Sequence, residues 1–241
     1  MSLPAGEPAA GSWQAVRTSE LMQLVAAAAR VPGGRPRVLA VDGRGGSGKS
    51  TLAERLRREA ARSAVLHTDD LAWHEPLFGW GHLLARVLEP LRRGEPVRFQ
   101  PPAWARHGRE GAIEVPAGLD LVIVEGTGAS QRVVAPLVDT AIWVQADFAE
   151  AERRGIERDV AEGVNGDREQ AIAFWRDWMA AELRFFDEQR PWERADAIVA
   201  GTPTIPLGAD EWAVASPSLR TSPPAAVNLR PLRCFAVHDK S

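Results

Sequence analysis

Lysine is almost missing from this chain. Of its 29 basic residues only Lys49 and Lys240 are lysine; the rest are arginine. Tyrosine is absent, although tryptophan occurs nine times. A single cysteine, Cys234, excludes an intramolecular disulfide and a zinc site of the multi-cysteine kind. Long apolar runs are lacking: Leu24–Ala29, the longest near the N-terminus, falls far short of the ~20 residues a spanning helix needs. Met1 to Trp13 shows no basic segment followed by an apolar run, so no signal peptide is expected. Excess positive charge is lacking too. A net charge of −3 argues against a protein that coats nucleic acid or an anionic membrane. The expected setting is cytoplasmic, with no nucleic-acid or membrane partner.

What is present suits one large domain with appendages. The 241 residues are 45% hydrophobic and 25% charged, enough to bury a core. Lys240 lies in the last two residues, so Lys49 is the only lysine of the expected folded body. A chain that writes arginine nearly everywhere and keeps one lysine needs a compact ammonium there.

Short apolar runs at Val38–Val41, Ala64–Leu66, Leu121–Val124, Ala141–Val144 and Ala197–Ala200 have the size of buried parallel strands. Helical patterns cover Ser12–Arg30, Ser50–Arg62, Gly81–Arg93, Asp147–Glu162 and Arg168–Glu188. Two short strand candidates fall within Pro96–Val115. Alternating strands and helices predict an α/β fold: three layers, α/β/α, around a parallel sheet of about five strands. The two long charged helices would form a lid. Met1–Gly11, rich in Ala, Gly and Pro, reads as a flexible leader. The expected division is a leader and helix over 1–36, the α/β body over 37–201, and an extended Pro/Ser-rich tail over 202–241. No internal repeat is present.

Gly43-Arg-Gly-Gly-Ser-Gly-Lys-Ser50 fits G-x-x-x-x-G-K-S/T in full, after a strand and opening a helix, as the phosphate-loop motif demands. The backbone N–H groups of Gly43, Gly45, Gly46, Ser47, Gly48, Lys49, Ser50 and Thr51 would cradle phosphates, aided by the helix dipole. Lys49 would reach the β- and γ-phosphates, and the Ser50 hydroxyl would ligate Mg²⁺. A guanine-reading N-K-x-D is missing, which excludes the usual GTPase pattern. The strand Leu121–Val124 ends in Glu125-Gly126 rather than the Asp usual in mechanical ATPases.

The string Val41–Ala53 resembles the opening of the uridine kinase-like and phosphoribulokinase-like P-loop kinases, and the chain looks similar to their actinobacterial-type ATP-binding members. Thr68-Asp-Asp-Leu71 is similar to their acceptor-site segment, and His107-Gly-Arg109 followed by Val122–Gly126 to their H-S/T-R segment and Glu-Gly strand. Arg154–Asp159 looks like their arginine-bearing lid, and Arg194–Ile198 like their last strand. The resemblance covers about residues 37–200 and implies a P-loop kinase domain over 37–201. It implies ATP and Mg²⁺ as cofactors and transfer of the γ-phosphate to a hydroxyl of a small-molecule acceptor. Two segments depart from the pattern: Leu71-Ala-Trp73 and Pro102-Ala-Trp104 stand where nucleoside-contacting residues are expected. The acceptor is therefore expected not to be uridine or cytidine.

Asp69 and Asp70 follow the second strand. In an extended strand end their side chains point opposite ways, so one faces the crevice where α/β sheets bind ligands. Asp69 is the expected acceptor-side base, with Asp70 the alternative. Glu125 is a candidate for metal support or acceptor binding. Arg154 and Arg158, four apart on one helix face, would repel unless an anion sits between them, and a transferring phosphate supplies one. Trp73, Trp104, His107 and Arg109 are candidates for the acceptor site. Trp175 and Trp178, at helical spacing, read as core or lid packing. A homodimer stays open. So does a second function class, a nucleotide-binding regulatory or interaction protein with weak ATPase activity.

Overall fold

The structure, a computed structural model, describes residues 1–215. In chain order it comprises β1 (Gln14–Arg17), α1 (Thr18–Ala28), β2 (Arg37–Gly43), α2 (Lys49–Arg58), β3 (Ser63–His67), α3 (Thr68–Ala72), α4 (Gly81–Arg92), β4 (Val97–Phe99), α5 (Pro102–Arg106), β5 (Ile113–Val115), β6 (Leu121–Glu125), β7 (Thr140–Gln145), α6 (Phe148–Glu162), α7 (Arg168–Gln189), β8 (Ala197–Ala200) and β9 (Glu211–Ala215). The main sheet has the order β1-β9-β8-β7-β2-β6-β3. Its five strands β8, β7, β2, β6 and β3 pair in parallel, and they are the five apolar runs anticipated.

Residue alternation along these strands builds the two flanking layers. Val38 and Ala40 of β2, with Val122 and Val124 of β6, face a core closed by Leu83, Leu84, Val87, Leu88 and Leu91 of α4. Leu39 and Val41, with Leu121 and Ile123, face Leu21 and Val25 of α1 and Leu52 and Leu56 of α2. Trp143 and Ile198 pack on Phe186 of α7 and on Trp192. Burial on both faces explains why these strands read as continuous apolar runs. The pair β4–β5 forms its own antiparallel ribbon, as the Pro96–Val115 segment suggested. Among the described residues no helix is long and apolar enough to cross a membrane.

Four expectations need correction. The sheet is larger than five strands, because β9 adds antiparallel to β8 and β1 adds antiparallel to β9. The reading of 202–241 as an extended tail therefore fails at its start. Ala213, Val214 and Ala215 are buried, and the Trp212 indole N–H donates to Thr18 Oγ1 at 3.0 Å. Residues 216–241 lie outside the described residues. The helix expected from Ser12 starts at Thr18, since Gln14–Arg17 is drawn into the sheet edge and Glu20 accepts the Arg17 N–H at 3.1 Å. Finally, the expected flexible leader is tied down. Phe148 N–H donates to the Ser2 carbonyl at 2.9 Å, Ala10 N–H donates to Gln145 Oε1 at 2.9 Å, and Glu7 is buried.

Candidate active site

The loop between β2 and α2 follows from backbone chemistry. Gly48 precedes α2 with φ +94°, and open space surrounds the place a side chain would take. A left-handed glycine there lets successive amides converge on one side. Asp42, the residue before the loop, is buried and accepts from the N–H groups of Gly43 and Gly128 at 2.8 Å, from the Ser130 N–H at 2.9 Å and from the Ser130 hydroxyl at 2.7 Å. Burial raises its carboxyl above the usual aspartate range, and these donors offset only part of that rise. Asp42 thereby ties the loop after β2 to the loop after β6. The sequence reading did not single it out. A charged residue inside an apolar strand run was the available signal, because such a group is retained only with full hydrogen bonding.

Ser50 and Glu125, the two proposed metal residues, come together: the Ser50 hydroxyl donates to Glu125 Oε1 at 3.0 Å. Parallel pairing of β2 with β6 brings Glu125 level with Val41, just ahead of the loop. The other Glu125 oxygen lies 2.7 Å from His67 Nδ1. Burial alone would raise the Glu125 carboxyl, but the His67 hydrogen bond and the Lys49 charge outweigh it and hold the group below its usual range. The same bond raises His67. His67 was not anticipated; its β3–β6 register opposite Glu125 is a tertiary fact. Among the described residues no cluster of three or more His, Cys, Asp or Glu side chains forms a cage for a metal. A hydroxyl and one carboxylate are the sparse hard-oxygen set that suits Mg²⁺, which takes its remaining ligands from water and phosphates. The Ser47 hydroxyl is buried without a partner, a donor in the loop that a phosphate oxygen would satisfy. The residues present thus fit a magnesium nucleotide.

The acceptor-side candidates form a second cluster. Asp69 and Asp70 lie in the first turn of α3, so their side chains splay by a helical step instead of alternating across a strand. Asp69 is exposed. Asp70 Oδ1 accepts from Arg109 Nη2 at 2.6 Å, and its carbonyl accepts from the Trp104 indole at 2.8 Å. The Arg109 guanidinium lies 3.6 Å from the Trp104 ring centroid and 5.6 Å from that of Trp73. His107 stacks on His74 at 3.9 Å and meets Trp73 edge-on at 5.9 Å. Trp73, Trp104, His107 and Arg109 are therefore one aromatic and cationic patch after β3. The charges of Asp69 and Asp70 both act on His67, which links this patch to the Ser50–Glu125 pair.

The lid helices lie on the loop. A Cβ at Gly46 would sit 2.0 Å from the Ala151 carbonyl oxygen of α6, and one at Gly45 would sit 2.9 Å from the Trp175 ring of α7. Trp175 is buried, its indole donating to Asp159 at 2.7 Å. Arg154 donates to Glu150 Oε1 at 2.8 Å and to the Gly201 carbonyl at 2.9 Å. Arg153 and Arg154 together hold the Glu150 carboxyl at about 2. Arg158 is bonded to Asp159 at 2.8 Å. Each lid arginine thus has its own carboxylate in this structure.

The architecture has a counterpart among solved structures. A "putative fructose transport system kinase" from Silicibacter sp. TM1040 superposes with a TM-score of 0.56 at 20% identity, over 72% of this chain and 95% of that one. The likeness is one of fold, a mostly parallel sheet flanked by helices. More distant likenesses are a "possible uridine kinase" from Bacillus stearothermophilus (TM-score 0.44, 16% identity, 76% of this chain and 96% of that one) and a D-glycerate 3-kinase from Cryptococcus neoformans var. grubii (TM-score 0.46, 16% identity, 69% and 86%). No protein-family model and no curated protein matches the chain.

Proposed function

We propose that this chain is a small-molecule kinase that transfers the γ-phosphoryl group of Mg-ATP to a hydroxyl of a small acceptor, giving ADP and a phosphorylated product. The observation that carries the reading is the contact of Ser50 with Glu125 at 3.0 Å, directly beside the phosphate loop and one residue from Lys49. Bound Mg-ATP would supply the electrophilic phosphoryl group. Ser50 and Glu125 are the residues to hold the cation, and Lys49 the residue to hold phosphate charge. Asp69, exposed beyond β3, is placed to orient the acceptor hydroxyl and take its proton. Arg154 and Arg158 would neutralise charge by exchanging Glu150 and Asp159 for phosphate oxygens. Catalysis is then mainly positioning and charge stabilisation.

The acceptor site is the patch of Trp73, Trp104, His107 and Arg109, suited to a flat or anionic molecule. Pro102 and Ala103 open α5 there and offer no side-chain donor or acceptor. A site that reads a pyrimidine base by hydrogen bonds loses most of its discrimination without such groups, so uridine and cytidine are excluded as good substrates. The test is ADP release over a panel of nucleosides, sugars, hydroxy acids and vitamins. Saturable stimulation by one acceptor, lost by ~10²-fold in Asp69→Asn with nucleotide binding kept, supports the reading. ADP release that no acceptor stimulates would leave only a nucleotide-binding module.

A further inference from the structure

Arg44 occupies a variable position of the phosphate loop, where a cation invites assignment to phosphate. Its side chain turns the other way. It is almost fully buried, and its Nε and Nη2 donate to one oxygen of Glu7 at 3.1 and 3.0 Å. The other Glu7 oxygen accepts from the Trp143 indole at 2.8 Å and from the Gln145 amide at 3.1 Å. On its far side Arg44 meets Glu182 of α7 at 3.4 Å, and Glu182 accepts the Gly45 N–H at 2.8 Å. Both carboxylates are buried. The Arg44 carbonyl in turn accepts from Lys49 Nζ at 3.3 Å. An unbroken line of contacts therefore runs from Glu7 through the Arg44 side chain to its backbone and on to the loop ammonium. The stretch that carries Glu7 is fastened on both sides: Ser2 N–H donates to Asp147 at 2.6 Å, and Gln145 donates to the Pro8 carbonyl at 3.0 Å.

We propose that residues 2–10 are a strap that holds the phosphate loop in its nucleotide-binding shape, with Glu7 a positioning residue acting through Arg44. This rests on the kinase reading above. A loop that must present several amides to one phosphate binds well only if it is ordered beforehand. A guanidinium buried between two carboxylates orders it, and loss of one partner leaves charge unpaired inside the protein.

The test is the Kd of MgATP by calorimetry on the full chain, with melting temperature measured in parallel. Glu7→Ala is expected to raise Kd about tenfold at a temperature where the variant is fully folded, and Arg44→Ala to do the same. Because Glu7 acts through Arg44, the double variant should bind no more weakly than Arg44→Ala alone. A lowered melting temperature with Kd within about twofold of wild type, or effects that simply add, would overturn the proposal. If Glu7→Ala does not fold, the isosteric Glu7→Gln is read by the same criterion: a Kd raised about threefold or more supports the strap, and an unchanged one refutes it. Wild-type protein that binds no MgATP would sink the kinase reading and this inference with it. Tight wild-type binding with unaffected variants sinks this inference alone.

Discussion

Single residues divide here into those the proposed reaction would use and those that hold the protein. Lys49 belongs to the first group. It is buried and donates to the Arg44 carbonyl of its own loop, and its charge also favours the ionised form of the buried Glu125. Lys49→Ala should stay folded, with a melting temperature lowered at most modestly, and lose ATP turnover by ~10² or more, and Lys49→Arg should also be poor because a planar fork does not replace a point charge. Steady-state turnover beside a thermal melt checks both. Asp139 belongs to the second group. It accepts from both terminal nitrogens of Arg35 at 2.7 and 2.8 Å, from the Val38 N–H at 2.9 Å and from Arg92. Burial alone would raise its carboxyl; the bonds from Arg35, Val38 and Arg92 outweigh it and hold the group below the usual aspartate range. A depressed folded-state pKa means stability that is present above the unfolded value near ~3.9 and lost as pH falls through the folded value. Asp139→Asn should therefore cost about 3 kcal/mol at neutral pH, and the difference from wild type should shrink in acid below the aspartate range. Urea melts at a series of pH values read this directly.

At the scale of elements, close approach of backbones sets the site. Gly126 follows β6 with φ +139°, and a Cβ there would lie 1.8 Å from Thr68 Oγ1 at the start of α3. That contact places the Glu125 strand end against the segment that carries Asp69 and Asp70. Gly126→Ala should destabilise the fold by about 3 kcal/mol, from steric overlap and a strained φ together, and should weaken acceptor-dependent turnover further than the stability loss accounts for. A urea titration paired with kcat/KM separates the two effects. The lid is an element property as well. Arg154 and Arg158 share one helix, and their local partners, Glu150 and Asp159, come from the same helix, so α6 positions both arginines by itself.

For the whole molecule, the sheet closes through its ends. β9 lies between β8 and β1, so a chain cut after Gly201 leaves β1 without a partner and exposes the buried edge of β8. That truncation should be insoluble or lose several kcal/mol, whereas one ending after Ala215 keeps all seven strands and should stay folded. Expression and melting of the two truncations decide it. A soluble chain ending at Gly201 with an unchanged melting temperature would show β1 and β9 to be dispensable.

The sequence by itself determined what is local or repetitive. Five apolar runs specified five parallel strands, because burial on both faces demands it. The glycine-rich string specified the loop, because few other residues allow that backbone, and the solitary Lys49 marked its cation. The partners of these elements were decided only in three dimensions. Gln14–Arg17 and Glu211–Ala215 are too short to carry a period, and each becomes a strand because the other, or β8, offers a free edge. His67 meets Glu125 through strand register, and Asp70 rather than Asp69 meets Arg109 because α3 begins at Thr68. Glu7 stands in an Ala/Gly/Pro-rich stretch that reads as loose. It is ordered because Arg44 is a buried charge that needs a counter-ion, and no local pattern encodes a contact across 37 residues.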